Sequence, residues 1–264
     1  RNVIRQDISQ ITNLFKKVFK KKISKKYYDW RYKDNNFYNS FVALKNDKII
    51  AHVGYIKYRF FKNQKIYSRH SSFVDKDYRR KKIYTNLLKF SFSKLQKKTS
   101  FILAWPNESN LKNNIKFKNF FLIQKYFLYK KIIKTNKKLK LKKLSIDLFH
   151  DIFKKNDNSL FLKDKKYVNW RFFTYKKENY SYLDVGIFKR QIVILQKNKY
   201  KKNIIYNLED YFEDHKVLEK TISQLNDLKI NYQFLIPSSD KKLKAKLRKY
   251  DLKKENNIFN VGIY

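Results

Sequence analysis

The stretch Phe73-Val-Asp-Lys-Asp-Tyr-Arg-Arg-Lys-Lys-Ile-Tyr-Thr-Asn-Leu-Leu-Lys89 drives an apolar strand through a tight basic turn directly into an amphipathic helix. A chain containing this junction must pack a sheet against a helix, and the first turn of that helix faces the basic loop. The leading N–H groups of a helix have no partner inside it, and the macrodipole adds partial positive charge there. The junction is therefore a seat for a diphosphate, gripped through charge and backbone rather than through a base or a sugar.

Around this junction the chain of 264 residues is long enough for two modest domains or one large one, and 42% hydrophobic residues can fill a core. Its 64 Lys and Arg against 22 Asp and Glu give a formal charge of +42, which by itself argues for a polyanionic partner such as nucleic acid or an anionic membrane. The lysines, however, are spread through helices, strands and turns alike, while Gly falls to 3 and Pro to 2. Average proteins hold roughly 7% and 5% of these. This profile reads as a general bias toward Lys, Asn, Ile and Tyr, since a dedicated binding patch would cluster. With no cysteine there is no disulfide, no thiolate zinc site and no cysteine nucleophile, and the expected compartment is the cytoplasm. No apolar run approaches the roughly 18 residues of a spanning helix, and the amino terminus lacks an apolar signal core. The chain starts at Arg1 and holds no Met, so it is expected to be a fragment from which an upstream strand is missing.

Asp7 precedes Ile8, Ile11, Leu14, Phe15, Val18 and Phe19 at helical spacing, which predicts a first helix capped by Asp7. A short second helix from Ser24 carries Trp30-Arg31-Tyr32. Strands are predicted at Phe41 to Leu44 and Ile49 to Phe60, joined by a hairpin turn at Asn46-Asp47. A turn at Asn63-Gln64 leads to the strand Ile66 to Val74, then come the helix from about Arg80 to Lys97 and a buried strand at Phe101 to Trp105. The carboxyl half repeats this plan. Asp29-Trp30-Arg31-Tyr32 is echoed by Asn169-Trp170-Arg171-Phe172, and Phe101-Ile-Leu-Ala-Trp-Pro106 by Gln233-Phe-Leu-Ile-Pro237. Each proline is followed by a basic helix and a last strand, Phe120 to Lys131 in one half and Ile258 to Tyr264 in the other. The Lys-rich run Thr135 to Lys143 reads as a connector or solvated helix start. The second half has the acidic run Tyr206 to His215 where the first has its basic turn, so only the first is expected to hold a diphosphate.

The basic turn resembles the acyl-CoA pyrophosphate loop of the GNAT N-acyltransferases, with its pattern of Arg or Gln, two residues, Gly, one residue, then Gly or Ala. Arg79 fits the first position, while Lys82 and Tyr84 stand where the family has small residues. The order of elements from Val3 to Ile133 is similar to one GNAT domain, and Trp30-Arg31-Tyr32 with Trp105-Pro106-Asn107 is similar to GNAT proteins found among surface-polysaccharide genes. The resemblance implies an α+β fold of two GNAT-like domains, each a mostly antiparallel twisted sheet flanked by helices. Residues 1–134 would bind acyl-CoA and residues 144–264 would form a degenerate second domain. It implies that the family's fourth and fifth strands, here Ile66 to Val74 and Phe101 to Trp105, splay to admit the pantetheine arm. Phe73 and Val74 would then offer backbone groups to the arm, and Arg79, Arg80, Lys81, Lys82, Ile83 and Tyr84 would wrap the diphosphate.

Transfer of an acyl group to an amine needs a neutral amine, a polarised thioester carbonyl and a proton for the departing thiolate. Backbone N–H groups near Phe73 and Val74 are candidates for the oxyanion, where one such donor contributes about 3 kcal/mol. His70 on the same strand and Glu108 just past the fifth strand compete as general base. Asn107, behind Pro106 at the mouth of the wedge, is both a cap for the next helix and a candidate contact for the arm or the acceptor. The Lys112 to Lys118 helix has no Tyr to act as general acid, and Asn119 is expected to take the left-handed turn before Phe120-Phe121. Trp30, Arg31 and Tyr32 either wall an anion or sugar pocket or pack into the core with Arg31 lying over it. The function implied is an N-acyltransferase, with acetyl-CoA as donor and an amine on a small molecule or sugar intermediate as acceptor. Two alternatives stand beside it: a Fem-type transferase using aminoacyl-tRNA, which the positive charge favours, and a noncatalytic binding protein of the same fold.

Overall fold

The computed structural model describes residues 1–32, 38–59, 65–96, 99, 101–133, 141–143, 145–148, 165–175, 179–185, 192–200, 203–210 and 215–263. Helix α1 (Asp7–Phe19) buries Ile8, Ile11 and Leu14. The cap differs from the sequence expectation. Gln6 occupies the cap position, and Asp7 is instead the first helical residue, its carboxylate receiving the Ile4 amide at 2.8 Å and both arms of the Arg1 guanidinium at 2.7 and 2.8 Å. Asp7 had more to gain from a cation than from a capping amide, and a negative charge in the first turn suits the helix dipole equally well. Helix α2 (Lys25–Tyr32) starts where expected, with Ser24 Oγ accepting the Tyr27 amide at 3.0 Å, and it buries Tyr28, Trp30 and Tyr32.

Strands β1 (Tyr38–Lys45) and β2 (Lys48–Arg59) form the hairpin, with Asn46 and Asp47 both left-handed at φ 47° and 59°. That is the backbone a two-residue turn demands and Asn and Asp tolerate. Strand β3 (Lys65–Val74) follows; the turn expected at Asn63-Gln64 lies outside the described residues. Then come helix α3 (Ile83–Leu95), strand β4 (Ile102–Ala104), helix α4 (Glu108–Ile115) and strand β5 (Phe121–Lys131). Asn119 is not among the residues of positive φ, so the left-handed turn expected there is absent; the Phe120 amide closes the turn onto the Phe117 carbonyl at 3.0 Å instead.

In the second half, the Lys-rich run is outside the described residues from 134 to 140, and Lys142–Lys143 pair as a short strand β6. Helix α5 (Lys165–Val168) continues as a π turn over Asn169–Phe173. Strands β7 (Tyr180–Asp184), β8 (Ile192–Tyr200) and β9 (Asn203–Asp210) precede helix α6 (His215–Asp227), strand β10 (Tyr232–Pro237), helix α7 (Lys241–Leu247) and strand β11 (Lys253–Ile263). The first half of the acidic run belongs to strand β9, residues 211 to 214 lie outside the description, and His215 opens α6.

Among the described residues, all eleven strands join one sheet in the order β1-β2-β3-β4-β11-β5-β10-β9-β8-β7-β6. The last strand of each half is exchanged. β11 pairs antiparallel with β4 through Gly262 and Ala104, and β5 pairs antiparallel with β10 from Tyr232 opposite Lys131 to Pro237 opposite Tyr126. The two exchanged strands also pair with each other along most of their length. Without a strand at these places, β4 and β10 would each present an unpaired backbone edge in the middle of the molecule.

Helices α1 and α2 pack on one face of β1 to β3 through Ile11, Tyr28, Val42 and Phe73, while α3 covers the other face through Leu88, Leu95, Val53 and Tyr55. The larger core of the second half forms around α6, with Leu218, Ile222, Tyr232 and Ile236 fully enclosed. The halves meet on a reciprocal tryptophan pair. Trp30 Nε1 donates to the Trp170 carbonyl, Trp170 Nε1 donates to the Trp30 carbonyl, both at 2.7 Å, and the rings stack at 5.6 Å. Of the two readings of Trp30, the core-packing one therefore holds, and the repeated motif is the contact surface between the halves.

Truncating either indole removes a buried ring and orphans a buried carbonyl. Trp30→Ala and Trp170→Ala are each expected to lower stability by roughly 3–5 kcal/mol in urea unfolding. The double variant should lose clearly less than the sum, because the two rings share one interaction. Fully additive losses would show that the pair is not coupled.

Candidate active site

The site is organised by one irregularity in β3. Between His52 and Gly54 of β2 the partner strand uses His70 to Phe73, so β3 carries an extra residue, and Ser71 takes a left-handed φ of 47°. A bulge of this kind bends the strand and turns backbone groups out of the ladder. Two side chains and one missing side chain hold it. His52 Nδ1 bonds the Ser71 carbonyl at 2.9 Å, the Tyr32 hydroxyl donates to Ser71 Oγ, and Gly54 leaves room for Tyr32. A Cβ on Gly54 would lie 2.4 Å from the Tyr32 ring.

Just before the bulge β3 parts from β4. The strands pair in parallel from Tyr67 opposite Ile102 to Arg69 opposite Ala104. β3 then runs on to Val74, whereas the segment after β4 turns at Pro106 into α4, capped by Asn107 Oδ1 accepting the Asn110 amide at 2.9 Å. The wedge between them opens into a cleft of about 480 Å³, walled by Ser72, Phe73 and Val74 on one side and Asn110 and Asn113 on the other.

The basic turn closes the outer end of this cleft. Asp75 begins it, fully buried, accepting Lys17 Nζ at 2.7 Å and the Asp77 amide at 3.3 Å. Burial alone would raise its pKa, but Lys17 and the amide outweigh that and hold the carboxyl below its ordinary value. Arg80 and Lys82 are left-handed at φ 63° and 58°. Lys82 thus adopts the backbone that glycine takes most readily, and its exposed side chain stands at the rim of the cleft. Ile83, Tyr84 and Thr85, whose first-turn amides have no carbonyl partner within the helix, line the cleft, with Arg79, Arg80, Lys81 and Lys82 exposed around it. Tyr84 lines the cleft without filling it, and its buried hydroxyl has no hydrogen-bond partner. Such an orphan costs about 1–3 kcal/mol, which a bound ligand would relieve. Behind it the buried Arg69 donates to Asn114 Oδ1 at 2.9 Å and lies 5.9 Å from the Tyr84 ring.

A second cleft of about 310 Å³ opens on the opposite face of the bulge, beneath α1 and α2. Phe73 lines both clefts, and with Phe15 and Phe19 it forms an aromatic cluster with centroids 4.6 to 5.8 Å apart between them. Its polar floor is Tyr28, Tyr32, His52 and Ser71. The Ser71 carbonyl can only accept, so His52 carries its proton on Nδ1, and Nε2 accepts from the Tyr28 hydroxyl at 3.2 Å. Burial pushes the His52 pKa down to about 4, so the ring is neutral at physiological pH. Tyr175 of the second half completes the wall, stacked on Trp30 at 5.0 Å.

Of the residues singled out by sequence, Phe73, Val74, Arg79, Arg80, Lys82, Ile83 and Tyr84 come together at the first cleft, with Lys81 in the same turn over Tyr78. Asn107 caps α4 at the mouth of the wedge, and Glu108 is an exposed first-turn residue of that helix. His70 stands ahead of the bulge on the α2 side, its Nδ1 3.1 Å from Arg31 Nη2. Burial first, then the charges of Arg31, Arg171 and Arg69, hold it neutral. Neither His70 nor Glu108 lines either cleft. Sequence reasoning missed His52 and Tyr28, and it named Tyr32 only as a pocket wall or core residue; the available signal was a lone histidine on an otherwise apolar strand facing a Tyr-rich helix.

Residues 6–117 match the model of the Acetyltransferase (GNAT) family. No curated protein matches the sequence. The whole chain is similar in structure to a probable N-acyltransferase of unknown function from Enterococcus faecalis, with TM-score 0.69 at 8% identity over 100% of this chain and 71% of that one. It is similar to a GCN5-related N-acetyltransferase from Anabaena variabilis, with TM-score 0.70 at 10% identity over 99% and 71%. It is also similar to the N-myristoyltransferase of Saccharomyces cerevisiae with bound myristoyl-CoA, with TM-score 0.64 at 12% identity over 99% and 80%. The chain has the fold of these GNAT-related structures, and their coverage of the whole chain is consistent with two GNAT-like halves.

The buried neutral His52 makes stability depend on pH. An unfolded histidine titrates near 6.5, and the folded one only at about 4. Between those values the unfolded chain holds the extra proton, so stability falls as pH falls, by about 3 kcal/mol in all from this group. Urea unfolding between pH 7.5 and 4.5 should show the decline, and His52→Gln should flatten a large part of it. An unchanged slope in that variant would mean that His52 is protonated in the native state.

Proposed function

We propose that this protein is an N-acyltransferase that moves an acyl group, acetyl in the first instance, from acyl-CoA to an amine of a small molecule. The observation that carries the reading is that two clefts, one ending in a basic helix N-terminus and the other in a polar floor, open on opposite faces of the same bulged backbone at Ser71 to Phe73. In this reading residues 1–134 form the acyl-CoA-binding unit and residues 144–264 a second GNAT-like unit. The diphosphate seat supports acyl-CoA as donor rather than an aminoacyl-tRNA.

Arg79 through Tyr84 wrap the diphosphate with amides and side chains, and Phe73 and Val74 bond the pantetheine arm as an added strand would. The thioester carbonyl then reaches the bulge, where an amide turned out of the ladder stabilises the oxyanion. The amine enters from the other cleft. As its nitrogen bonds the carbonyl carbon, its proton passes to the Tyr28 oxygen while the Tyr28 proton moves to His52 Nε2, and the C–S bond breaks to release the CoA thiolate. Asn107 keeps α4 placed at the mouth of the wedge.

Acetyl-CoA should raise the melting temperature in a concentration-dependent way, and free thiol should appear when a panel of amines is supplied. Arg79→Ala should weaken acetyl-CoA about tenfold, as expected for loss of one charge-assisted contact. Absence of any melting shift at millimolar acetyl-CoA would rule the reading out.

A second variant pair tests the loop itself. Lys82→Gly should gain about 1 kcal/mol of stability, because glycine adopts the same backbone without strain, and should weaken acetyl-CoA only a few-fold through the lost charge. Lys82→Val, β-branched and ill suited to φ 58°, should cost about 1–2 kcal/mol and weaken binding. Equal behaviour of the two variants would show that loop conformation does not matter.

A further inference from the structure

We infer that the acceptor amine carries an anionic group, a phosphate or a carboxylate, seated between Arg31 and Lys22; this rests on the N-acyltransferase reading and names its acceptor class. The cleft on the α1 and α2 side is lined by Arg31, Lys22, four tyrosines, His52 and apolar side chains, and no carboxylate is among its lining residues. Both charged groups are positive. His52 is neutral, and His70, just behind Arg31, is kept neutral by burial and by three arginines. A cationic polyamine or a lysine side chain would meet only like charge here.

Arg31 is aimed rather than loose. It donates to the Tyr27 hydroxyl at 3.1 Å, sits 3.1 Å from His70 Nδ1, and lies between the Tyr27 and Tyr32 rings at 5.8 Å from each. A planar guanidinium fixed in this way presents a fork suited to two oxygens of one anion. Lys22 also borders an adjoining shallow basin formed by Asn13, Lys16, Lys17 and Lys20. Lys17 is paired with Asp75 and Asp77, whereas among the described residues Lys16, Lys20 and Lys22 have no carboxylate partner. The basin gives the cleft a positive approach, which raises the local concentration of anions and their rate of arrival.

The same charges serve the reaction. A positive neighbour disfavours an ammonium ion, so an amine tethered through its own anionic group is held near Arg31 in the neutral form that attacks. A cleft of about 310 Å³ is at the small end of ligand sites and suits a single compact metabolite.

The test compares matched pairs that differ only in the anion: O-phosphoethanolamine with ethanolamine, and glucosamine 6-phosphate with glucosamine. Binding is followed by thermal shift without CoA, and turnover by thiol release with acetyl-CoA. The phosphorylated member of at least one pair should bind about tenfold or more tighter, with the difference in turnover lying in KM, and sodium chloride should weaken it steeply. Arg31→Gln should erase the preference, and Lys22→Gln, at an exposed position that does not threaten the fold, should reduce it severalfold. Equal or stronger binding of the uncharged members, a preference that survives both variants, or no binding by any probe overturns the inference. Phosphorylated amines that bind while acetyl-CoA does not would instead leave the anion site standing and remove the acyltransfer reading.

Discussion

The structure depends on backbone groups that neither half can satisfy alone. β4 has three residues and leans on β3 in parallel at only Tyr67 to Arg69, so its other edge needs a partner, and the partner is the last strand of the chain. β10 stands in the same position and takes β5. Because β5 and β11 also pair with each other, the four central strands form one continuous ladder that neither half possesses by itself. The Asn260 amide, buried, reaches the Pro106 carbonyl at 3.2 Å, so the exchanged strand also secures the chain at the point where it turns away to open the wedge. The architecture that joins the halves is thereby the architecture that holds the first cleft apart.

Within that frame a single extra residue creates the reaction centre. A regular β3 would hydrogen-bond to β2 throughout and offer nothing to a thioester. The bulge at Ser71 frees backbone groups, and its strained, non-glycine residue persists because His52 and Tyr32 tie it down from one side. This explains why a histidine with a pKa near 4 and two buried tyrosines gather on an otherwise apolar face: His52 and Tyr32 gain partners that the bulge supplies, and His52 in turn holds Tyr28.

Local chemistry was legible in the sequence and long-range pairing was not. The hairpin at Asn46-Asp47, the helix behind Ser24 and the strand, turn and helix around Arg79 are written in short-range preferences, and they stand where those preferences put them. Asp7 and Asn119 show the limit of that reading, since a nearby Arg1 and a tight Phe117 turn outcompeted the expected roles. The matching Trp30 and Trp170 motifs were visible, but nothing in their spacing says that each indole bonds the carbonyl of the other. The exchange of β5 and β11 joins residues far apart in sequence, and a strand reads the same whichever neighbour it takes. His52 escaped because its role is created by the bulge, which no residue of β3 announces; His70 drew attention by its place on the strand, whereas Arg31 and the arginines around it define its surroundings.

The absence of glycine from the basic turn is a lesser obstacle than its sequence suggests. A left-handed lysine costs about 1–2 kcal/mol relative to glycine, but its side chain adds a positive charge at the rim of the cleft, where a diphosphate has use for it. Tyr84 is the more consequential replacement, since it narrows the cleft and brings a hydroxyl that waits for a partner. The second half contributes on the other side of the bulge, where Trp170 braces Trp30 and Tyr175 walls the acceptor cleft. In the proposed reaction no strong base is available, because the only histidine in the clefts is a weak one and no carboxylate lines the acceptor side. The cationic surroundings substitute for it: by disfavouring the ammonium form they ask less of Tyr28 and His52, which have only to receive the proton of a nitrogen already made acidic by attack.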